Sequence, residues 1–392
     1  MRRPIWSRAK AELRARQRLS QLRGLAGRPA TAATDDPVTV YGLFSSSTGL
    51  GEAGRLTANG LERIGRKVFR VDATPHLRGR ADPDSFDRDP GRGPVVFHLN
   101  PVEAAEVMAA LRPPRLAERP RIGVWLYELD PAPARWADYA PLFHQIWSPS
   151  PASRNALASI AVSARLVPYR HAPLSVPGER SDGVFDVLVM ADYNSSLARK
   201  NVGGAIQSFR AAFGHDPSAR LTLKLSNLPR RHGLRAQLDT PATVLMEEAL
   251  EFDCLLELIG RSDALLSLHR GEGYGLTLVE AMLMGTPVVM SREPTTRTLH
   301  VPGACVAVPS ARVPVRDPQR IYRGGVWAEP DMDAAADALA ALKRGTDARW
   351  LPTKKARADA ARALFCSDER LEPLRAALSD LERDAGGALP AA

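Results

Sequence analysis

The chain has 392 residues, and at about 150 residues per domain this length favours two domains with well-filled cores. Hydrophobic residues make up 44% and charged residues 25%, as in an ordinary soluble globular protein. Residues 1–30 hold nine of the 53 Arg and Lys residues and one of the 44 acids, which leaves 44 bases and 43 acids elsewhere. This nearly neutral body excludes a nucleic-acid-binding domain with a broad basic face.

The basic segment, residues 1–35, is predicted to be an arm containing a helix, because Ile5, Ala9 and Leu13 lie four residues apart. Its apolar face is thin. It is therefore either a helix on an anionic membrane surface or a solvated arm, and both interpretations stay open. No apolar stretch of signal-peptide length follows the arginines, and no segment approaches the roughly 20 apolar residues of a membrane span. We expect a cytoplasmic protein, peripheral at the inner face of the membrane if the arm binds there.

From residue 36 onward, predicted strands and helices alternate, which is typical of a parallel sheet covered on both faces. The N-terminal domain, 36–172, has strands at 38–44, 67–72, 94–98, 121–127, 144–148 and 164–169, and helices at 53–65, 101–111 and 151–160. Turn-forming residues mark a linker at 173–183. The C-terminal domain, 184–365, restarts with strands at 185–191 and 221–226. Residues 366–392 are predicted to form a helix and tail that pack back on the N-terminal domain. The predicted fold class is α/β, with two Rossmann-like, doubly wound domains.

A glycine-rich stretch follows the first predicted strand. Gly49, Gly51 and Gly54 satisfy the pattern G-x-G-x-x-G, and Asp72 lies 18 residues beyond the last glycine, at the end of the next strand. These features match a dinucleotide-binding fingerprint. Against it, residues 45–48 separate the strand from the first glycine, whereas a dinucleotide turn leaves the strand directly. An NAD-dependent enzyme stays open as an alternative function.

Polar residues also lie at other predicted strand ends. His98 ends the third strand, and Glu128 follows the fourth. Arg199 and Lys200 come just before a helix that follows the first strand of the C-terminal domain. Ligands of open α/β sheets bind outside the carboxyl ends of the strands, and two cations at such an end can bind a diphosphate.

Residues 269–290, HRGEGYGLTLVEAMLMGTPVVM, place two carboxylates around a turn. Glu272 lies between a buried strand and a helix, and Glu280 lies on the second turn of that helix, which ends at Gly285. The turn glycines let a ligand approach the backbone, and the first helical amides form an anion site. A sugar joined to a nucleoside diphosphate suits this arrangement. The residues expected to contact such a donor are Gly273, Tyr274, Gly275, Leu276 and Thr277.

The E-x7-E spacing in the context EGYGLTLVEAM…GTPVV resembles glycosyltransferase family 4. Members are retaining enzymes with the GT-B fold, in which two Rossmann-like domains face a cleft, and they use nucleotide-sugar donors. The resemblance implies that Glu272 contacts the transferred sugar and that Glu280 holds the ribose of the nucleotide. It also implies that the glycine-rich stretch, through Gly51, faces the donor phosphate, as in a branch of bacterial polysaccharide and mannosyl-type transferases.

Further stretches resemble the same branch, so the resemblance covers most of residues 38–340. In ADYNSSLARKNV, Ser195 stands where the family has an arginine, Lys200 is implied as the diphosphate ligand, and Arg199 is either an adjacent substitute or a surface residue. The resemblance places His98 near the reacting sugar and Glu128 on the acceptor side. The stretch IYRGGVWAEPDMDAAADAL at 321–339 also matches.

One segment departs from these relatives. Where they have a small segment containing glycine and serine, this chain has SREPTTR at 291–297. Because that segment lies close to the donor in the family, the departure bears on the choice of nucleotide or sugar and on activity itself.

The resemblance implies a retaining enzyme that moves a hexose-type sugar from a UDP- or GDP-linked donor to a glycan or lipid-linked acceptor. We expect no bound cofactor and no nucleic-acid partner. We also expect no metal, because no Asp-x-Asp lies at a strand end and the cationic loop can replace one. Cys254, Cys305 and Cys366 lack the paired spacing of a disulfide framework or a zinc site. A non-catalytic partner protein with the GT-B fold is the second alternative.

Overall fold

The computed structural model describes residues 5–30, 36–79, 86, 88–111, 113–178, 182–238 and 242–386. The chain divides into two compact units. The first contains residues 1–127, 131–170 and 368–392, and the second contains residues 128–130 and 171–367. The domain boundaries predicted from the sequence are 172 and 365, with 1–35 and 366–392 set apart as an arm and a tail. In the structure the described residues 5–30 of the arm and 368–386 of the tail belong to the first unit, whereas residues 366 and 367 belong to the second.

The first unit is built on a parallel sheet with the strand order β2-β1-β3-β4-β5-β6. Its four central strands consist entirely of buried residues, as expected for a parallel sheet covered on both faces. In chain order its elements are α1 (Ile5–Gln21), β1 (Val38–Gly42), α2 (Gly49–Arg63), β2 (Val68–Asp72), α3 (Thr74–Leu77), β3 (Val95–Phe97), α4 (Pro101–Leu111), β4 (Arg121–Val124), β5 (Gln145–Ser148), α5 (Pro151–Ala158) and β6 (Arg165–Leu166).

The second unit has a parallel sheet with the order β12-β11-β10-β7-β8-β9 and an antiparallel pair, β13-β14. In chain order its elements are β7 (Phe185–Asp192), α6 (Leu197–Lys200), α7 (Val202–Phe213), β8 (Ala219–Ser226), β9 (Thr243–Met246), α8 (Phe252–Arg261), β10 (Ala264–Ser267), α9 (Leu276–Leu283), β11 (Val288–Ser291), β12 (Cys305–Val308), β13 (Ser310–Pro314), β14 (Val326–Pro330), α10 (Met332–Arg344) and α11 (Lys354–Phe365). The last helix, α12 (Glu372–Gly386), belongs to the first unit, where Leu374 and Leu378 pack with Val40. The two doubly wound α/β sheets predicted from the sequence are confirmed.

The strand orders fix where each sheet can bind a ligand. The strands are parallel, but the direction in which successive strands are added to the sheet reverses between β1 and β3 in the first sheet and between β7 and β10 in the second. Open α/β sheets bind ligands at such switch points, outside the carboxyl ends of the two strands. The residues after β1 and β3 include Gly51 and His98, and those after β7 and β10 include Lys200 and Glu272.

The glycine-rich stretch is helical rather than a loop. The helix predicted at 53–65 begins at Gly49, so Gly51 and Gly54 belong to the first turns of α2. A β-carbon at Gly51 would lie 2.4 Å from the carbonyl oxygen of Ser46 and 2.7 Å from that of Leu43. Glycine is therefore required because the start of the helix packs directly on the preceding loop, and not because the backbone needs an unusual conformation.

The N-terminal segment is bound to the first unit by a buried cation. Leu22 and Leu25 are fully buried in the core of this unit. The guanidinium of Arg121 donates hydrogen bonds to the carbonyl oxygens of Leu25 at 2.9 Å, Arg28 at 3.2 Å and Leu142 at 2.8 Å. Burial lowers the pKa of Arg121 to about 10. Within the described part of the chain, no helix combines the length and apolar composition needed to cross a membrane.

Replacing Arg121 by methionine is expected to lower the free energy of unfolding by roughly 3 kcal/mol or more, because several buried carbonyl oxygens lose their donor. Urea unfolding followed by circular dichroism measures this loss. The matched control is Arg14→Met, at an exposed position on α1, which is expected to change the stability by less than about 0.5 kcal/mol. An Arg121→Met variant as stable as the control would contradict the structural role given to this cation.

Candidate functional site

The two loops at the switch point of the second sheet are joined by an ion pair. Lys200 Nζ donates to Glu272 Oε2 at 2.6 Å, and the amide of Gly273 donates to Glu272 Oε1 at 3.1 Å. Burial by itself raises the pKa of Glu272, but the charges of Lys200, Arg199 and His269 outweigh it, and the pKa lies well below its usual range. Glu272 is therefore a fixed, ionised carboxylate.

Helix α9 begins directly after this carboxylate, as predicted. Gly275 precedes the helix with a φ of 89°, and a β-carbon there would lie 2.7 Å from a methyl carbon of Leu299. Leu276 and Thr277 form the first turn and are half-buried, whereas Glu280 lies on the second turn and is buried. One short helix thus presents its free amides beside Glu272 and carries the second carboxylate of the E-x7-E spacing.

Arg199 is a buried residue of the site and not a surface residue. Its side chain is 2% exposed. Nη1 donates to the carbonyl oxygen of Gly271 at 2.6 Å and Nε to that of Ser195 at 3.2 Å. Its guanidinium lies 3.8 Å from the carboxylates of both Glu272 and Glu128. Arg199 therefore fastens the loop after β7 to the loop after β10, and its pKa is raised because these charges and Tyr322 outweigh the effect of burial.

Glu128 belongs to the second unit, although the sequence places it in the N-terminal domain, on the acceptor side. Residues 128–130 pack on the loop that precedes Glu272. A β-carbon at Gly271 would lie 2.4 Å from a methyl carbon of Leu129 and 2.7 Å from the carbonyl oxygen of Glu128. The absence of a side chain at Gly271 lets this short segment reach Arg199. A local sequence pattern cannot reveal this contact.

Arg270, on the loop after β10, connects strand β14 to the loop after β7. The sequence did not predict this connection. Arg270 makes two hydrogen bonds to the carboxylate of Glu329, at 2.8 and 2.6 Å, and its guanidinium lies 5.2 Å from the ring centre of Trp327. It also donates to the carbonyl oxygen of Ala198 at 2.6 Å. The only signal in the sequence is the match at 321–339, which contains both Trp327 and Glu329 but does not indicate their partner.

The unusual segment 291–297 lies directly under Glu272. The hydroxyl of Thr295 donates to the backbone carbonyl oxygen of Glu272 at 2.5 Å. The carboxylate of Glu293, 3% exposed, accepts from the amides of Thr295 at 3.1 Å and Thr296 at 2.9 Å. His269 Nε2 lies 3.8 Å from the same carboxylate. The departure from the family pattern thus forms a closed turn that positions the backbone of the E-x7-E loop.

Tyr274 directs its side chain away from the ion pair, toward another part of the second unit. It is 3% exposed, and its ring stacks on that of His171 with a centre-to-centre distance of 5.9 Å and an interplanar angle of 13°. Its hydroxyl lies 3.2 Å from His171 Nε2. A contact between Tyr274 and a donor would therefore involve its backbone.

His98 lies at the switch point of the first sheet, next to Gly54 of helix α2. It is fully buried, its Nε2 lies 2.9 Å from the hydroxyl of Tyr169, and its Nδ1 has no partner among the described residues. A β-carbon at Gly54 would lie 3.8 Å from Nδ1. Burial lowers the pKa of His98 to about 4, so the imidazole is neutral near pH 7.

The carboxylate of Asp72 is already engaged locally. It accepts hydrogen bonds from the amide of Thr74 at 3.0 Å and from its hydroxyl at 2.7 Å. Burial raises the pKa of Asp72, but the hydrogen bonds from Ser45 and Thr74 together have a larger, opposite effect. The pKa of Asp72 is therefore below its usual value. In a dinucleotide-binding site this carboxylate would accept hydrogen bonds from the ribose, but here it accepts them from Thr74.

Comparisons with known proteins gave matches in structure only. No protein-family model and no curated protein matches the chain. AviGT4, a glycosyltransferase involved in avilamycin A biosynthesis, is 16% identical over 90% of this chain and 98% of its own, with a TM-score of 0.56. Anabaena HepE, solved with UDP and glucose, is 12% identical over 88% and 99%, with a TM-score of 0.58.

A third similar structure is Staphylococcus aureus TarM, solved as a mutant with fondaparinux, α-GlcNAc-glycerol and UDP. It is 10% identical over 74% of this chain, with a TM-score of 0.54, and this chain spans only 55% of its length. At such identities the likeness establishes the fold alone. The chain has the GT-B fold predicted from its sequence.

The stability of the protein is expected to fall with His98 protonation as the pH decreases from 6.5 toward 4. The unfolded chain binds a proton at this histidine near pH 6.5, whereas the folded protein does so only near pH 4. The contribution of neutral His98 to the free energy of unfolding is complete above pH 6.5, and about 3 kcal/mol of it is lost at pH 4. Urea unfolding of His98→Gln across this range should show a shallower pH slope than the wild type. The exposed control His215→Gln should keep the wild-type slope, and an unchanged slope in His98→Gln would refute the assignment.

Proposed function

We propose that the protein is a retaining glycosyltransferase of family 4 that moves a hexose-type sugar from a UDP- or GDP-linked donor to a glycan or lipid-linked acceptor. The observation that carries this proposal is the convergence of Lys200, Glu272 and the first turn of α9 at the switch point of the second sheet. Glu280 on the same helix completes the spacing that resembles the family. The GT-B fold is consistent with this activity.

The diphosphate of the donor would bind between Lys200 and the start of α9. An ammonium group has three donors, and the bond to Glu272 uses one of them. The others can reach phosphate oxygens, while the amides of Leu276 and Thr277 contribute neutral donors and the positive end of the helix dipole. Glu280 would hold the ribose hydroxyls of the nucleotide. Gly51, at the start of α2, is proposed to face the same phosphates.

In the transfer step the bond between the anomeric carbon and the diphosphate oxygen breaks, and the acceptor hydroxyl forms a new bond on the same face of the sugar. The acceptor proton passes to the departing phosphate oxygen. Lys200 and the helix amides stabilise the charge that develops there. Glu272, which stays ionised, accepts hydrogen bonds from sugar hydroxyls and fixes the sugar. His98, which is neutral and whose Nδ1 has no partner in the described part of the chain, is proposed to contact the reacting sugar.

We also propose that turnover needs neither a metal ion nor a bound cofactor, because Lys200 and the helix amides supply the positive groups that a metal would otherwise provide. Within the described ranges, His, Cys, Asp and Glu side chains do not gather in threes that could hold a metal ion. Membrane association through α1 is likewise a proposal, and it rests on the basic residues of that helix.

The two alternative functions have less support. An NAD-dependent enzyme would use the stretch from Gly49 to Gly54, but these residues are helical and Asp72 is bonded to Thr74. A non-catalytic partner protein would not need a lysine and an ionised glutamate paired beside the start of a helix, where a diphosphate can bind.

Donor binding is expected to depend on Lys200 and Glu280. In a thermal-shift panel of UDP, GDP, ADP, their sugars and NAD, one nucleotide and its sugar should raise the melting temperature, and NAD should not. Lys200→Met and Glu280→Gln should each lower the affinity for that nucleotide by about 10- to 100-fold, which is the range expected for losing a hydrogen bond to a charged group. The control Lys355→Met, at a 79% exposed side chain on α11, should bind as the wild type does. If no nucleotide raised the melting temperature, the donor site would be misassigned.

Glu272→Gln is expected to separate binding from transfer. The variant should bind the nucleoside diphosphate without loss, because it removes a negative charge next to the diphosphate, while its transfer rate falls by roughly 100-fold. Isothermal titration measures the first quantity and product formation the second. Proton NMR of the wild-type product should show the anomeric configuration of the donor sugar, also in the presence of EDTA. An inverted product, or loss of activity with EDTA, would refute the retaining or the metal-independent mechanism respectively.

A further inference from the structure

A second basic site lies in the second unit, along the edge strand β12. It is a pocket of about 570 Å³. Four basic side chains surround it: Arg292, Arg297, His300 and Arg349. The remaining lining residues are Thr296, Pro302, Gly303, Cys305, Val306 and Ala307. Neither Lys200 nor Glu272 lines this pocket, so it is distinct from the proposed donor site.

The basic side chains around the pocket are largely uncompensated. Within the described residues, Asp347 is the one carboxylate that pairs with them, accepting from Arg349 Nη2 at 2.6 Å. The contact of Arg292 is a 3.5 Å hydrogen bond to the carbonyl oxygen of Ala307. The side chains of Arg297 and His300 make no hydrogen bond or ion pair with described residues. At least two guanidinium groups can therefore bind an anion without first leaving a carboxylate.

We infer that this pocket binds a phosphate-bearing ligand and that its occupancy stiffens the turn supporting Glu272. Arginine presents a planar set of donors that matches phosphate oxygens in pairs, and two such groups line one opening. The volume suits a small molecule, and Pro302 and Val306 provide apolar lining for the rest of that molecule.

The connection to Glu272 passes through one turn of chain. Arg292 and Arg297 stand at the two ends of this turn, and both side chains line the pocket. Between them, the hydroxyl of Thr295 donates to the carbonyl oxygen of Glu272, and the amide of Thr296 donates to Glu293. A phosphate held by both arginines restrains both ends of the turn. The inference goes beyond the proposed function, because binding at this pocket does not require sugar transfer.

Titration with inorganic pyrophosphate tests the site in the full chain. The proteins compared are the wild type, Lys200→Met, the double variant Arg292→Gln with Arg297→Gln, and the control Arg312→Gln, whose arginine is exposed on β13. We expect pyrophosphate to bind the Lys200→Met variant, in which the proposed donor site is disabled. Combining Lys200→Met with the double variant should weaken this remaining binding at least about tenfold, whereas combining it with Arg312→Gln should not.

The outcomes separate this inference from the proposed function. If Lys200→Met abolishes all pyrophosphate binding, the pocket does not bind phosphate and the inference is overturned. If the double variant alone abolishes all binding, the inference holds and the role given to Lys200 fails. Circular dichroism and melting temperature confirm that each variant is folded before its affinity is compared.

Hydrogen exchange locates the bound ligand and tests the coupling. In the Lys200→Met variant, saturating pyrophosphate should slow amide exchange in peptides that cover residues 292–299, and this effect should disappear in the variant that also lacks Arg292 and Arg297. Protection confined to other peptides would overturn the inference.

The phosphate can come from a free metabolite or from a lipid headgroup, and sedimentation with vesicles distinguishes the two. Vesicles of phosphatidylcholine with and without phosphatidic acid are the probes. Capture by phosphatidic acid that is lost when Arg292 and Arg297 are replaced identifies a lipid headgroup. Pyrophosphate binding without such capture identifies a free ligand. Binding of neither probe at these arginines overturns the inference.

Discussion

The buried guanidinium of Arg199 is the constraint on which the candidate site depends. A cation that is 2% exposed must be surrounded by acceptors, because an unpaired buried charge is strongly unfavourable. Its acceptors and counter-charges come from three separate segments, represented by Ser195, Gly271 and Glu128. None of these segments can shift without removing part of the environment that the charge requires. The arginine thereby sets the spacing of the loops that carry Lys200 and Glu272.

The ion pair between Lys200 and Glu272 also decides which chemistry the site can support. A general acid needs a raised pKa so that it can carry and release a proton near neutral pH. Glu272 has the opposite property, because the surrounding cations keep its pKa low despite burial. Glu272 therefore cannot be the protonated carboxyl that two-carboxylate glycoside hydrolysis requires. The proposed reaction needs no protonated carboxyl at this position, because the leaving diphosphate itself receives the proton.

Local features of the site could be predicted from the sequence, and long-range ones could not. The turn at Glu272, the start of α9 and its end near Gly285 follow from glycine positions and helical spacing within about twenty residues. The burial of Arg199 depends on residues about seventy positions away on either side, so composition near Arg199 carries no sign of it. The helical start at Gly49 was missed for a different reason.

Glycine has a low helix propensity, so three glycines argue against a helix that begins at Gly49. Gly51 is nevertheless needed in this helix because the carbonyl oxygen of Ser46 approaches it closely, and the sequence does not show that approach. The segment 291–297 is another case in which the sequence predicts only part of what the structure shows. Its sequence reveals that it differs from the family pattern, but that Thr295 holds the backbone of Glu272 is visible only in three dimensions.

The attachment of the N-terminal segment affects how the molecule would meet a surface. A basic helix on a loose tether would let the body behind it rotate freely. Here Arg18 of α1 is paired with Glu106 at 2.7 Å, and the residues that follow the helix are fixed by Arg121 and by the buried Leu22 and Leu25. Any charged surface that captured α1 would therefore set the orientation of the first unit as well. Because α1 is fixed to the first unit, its orientation on the surface would determine the direction in which the strand ends of the first sheet point.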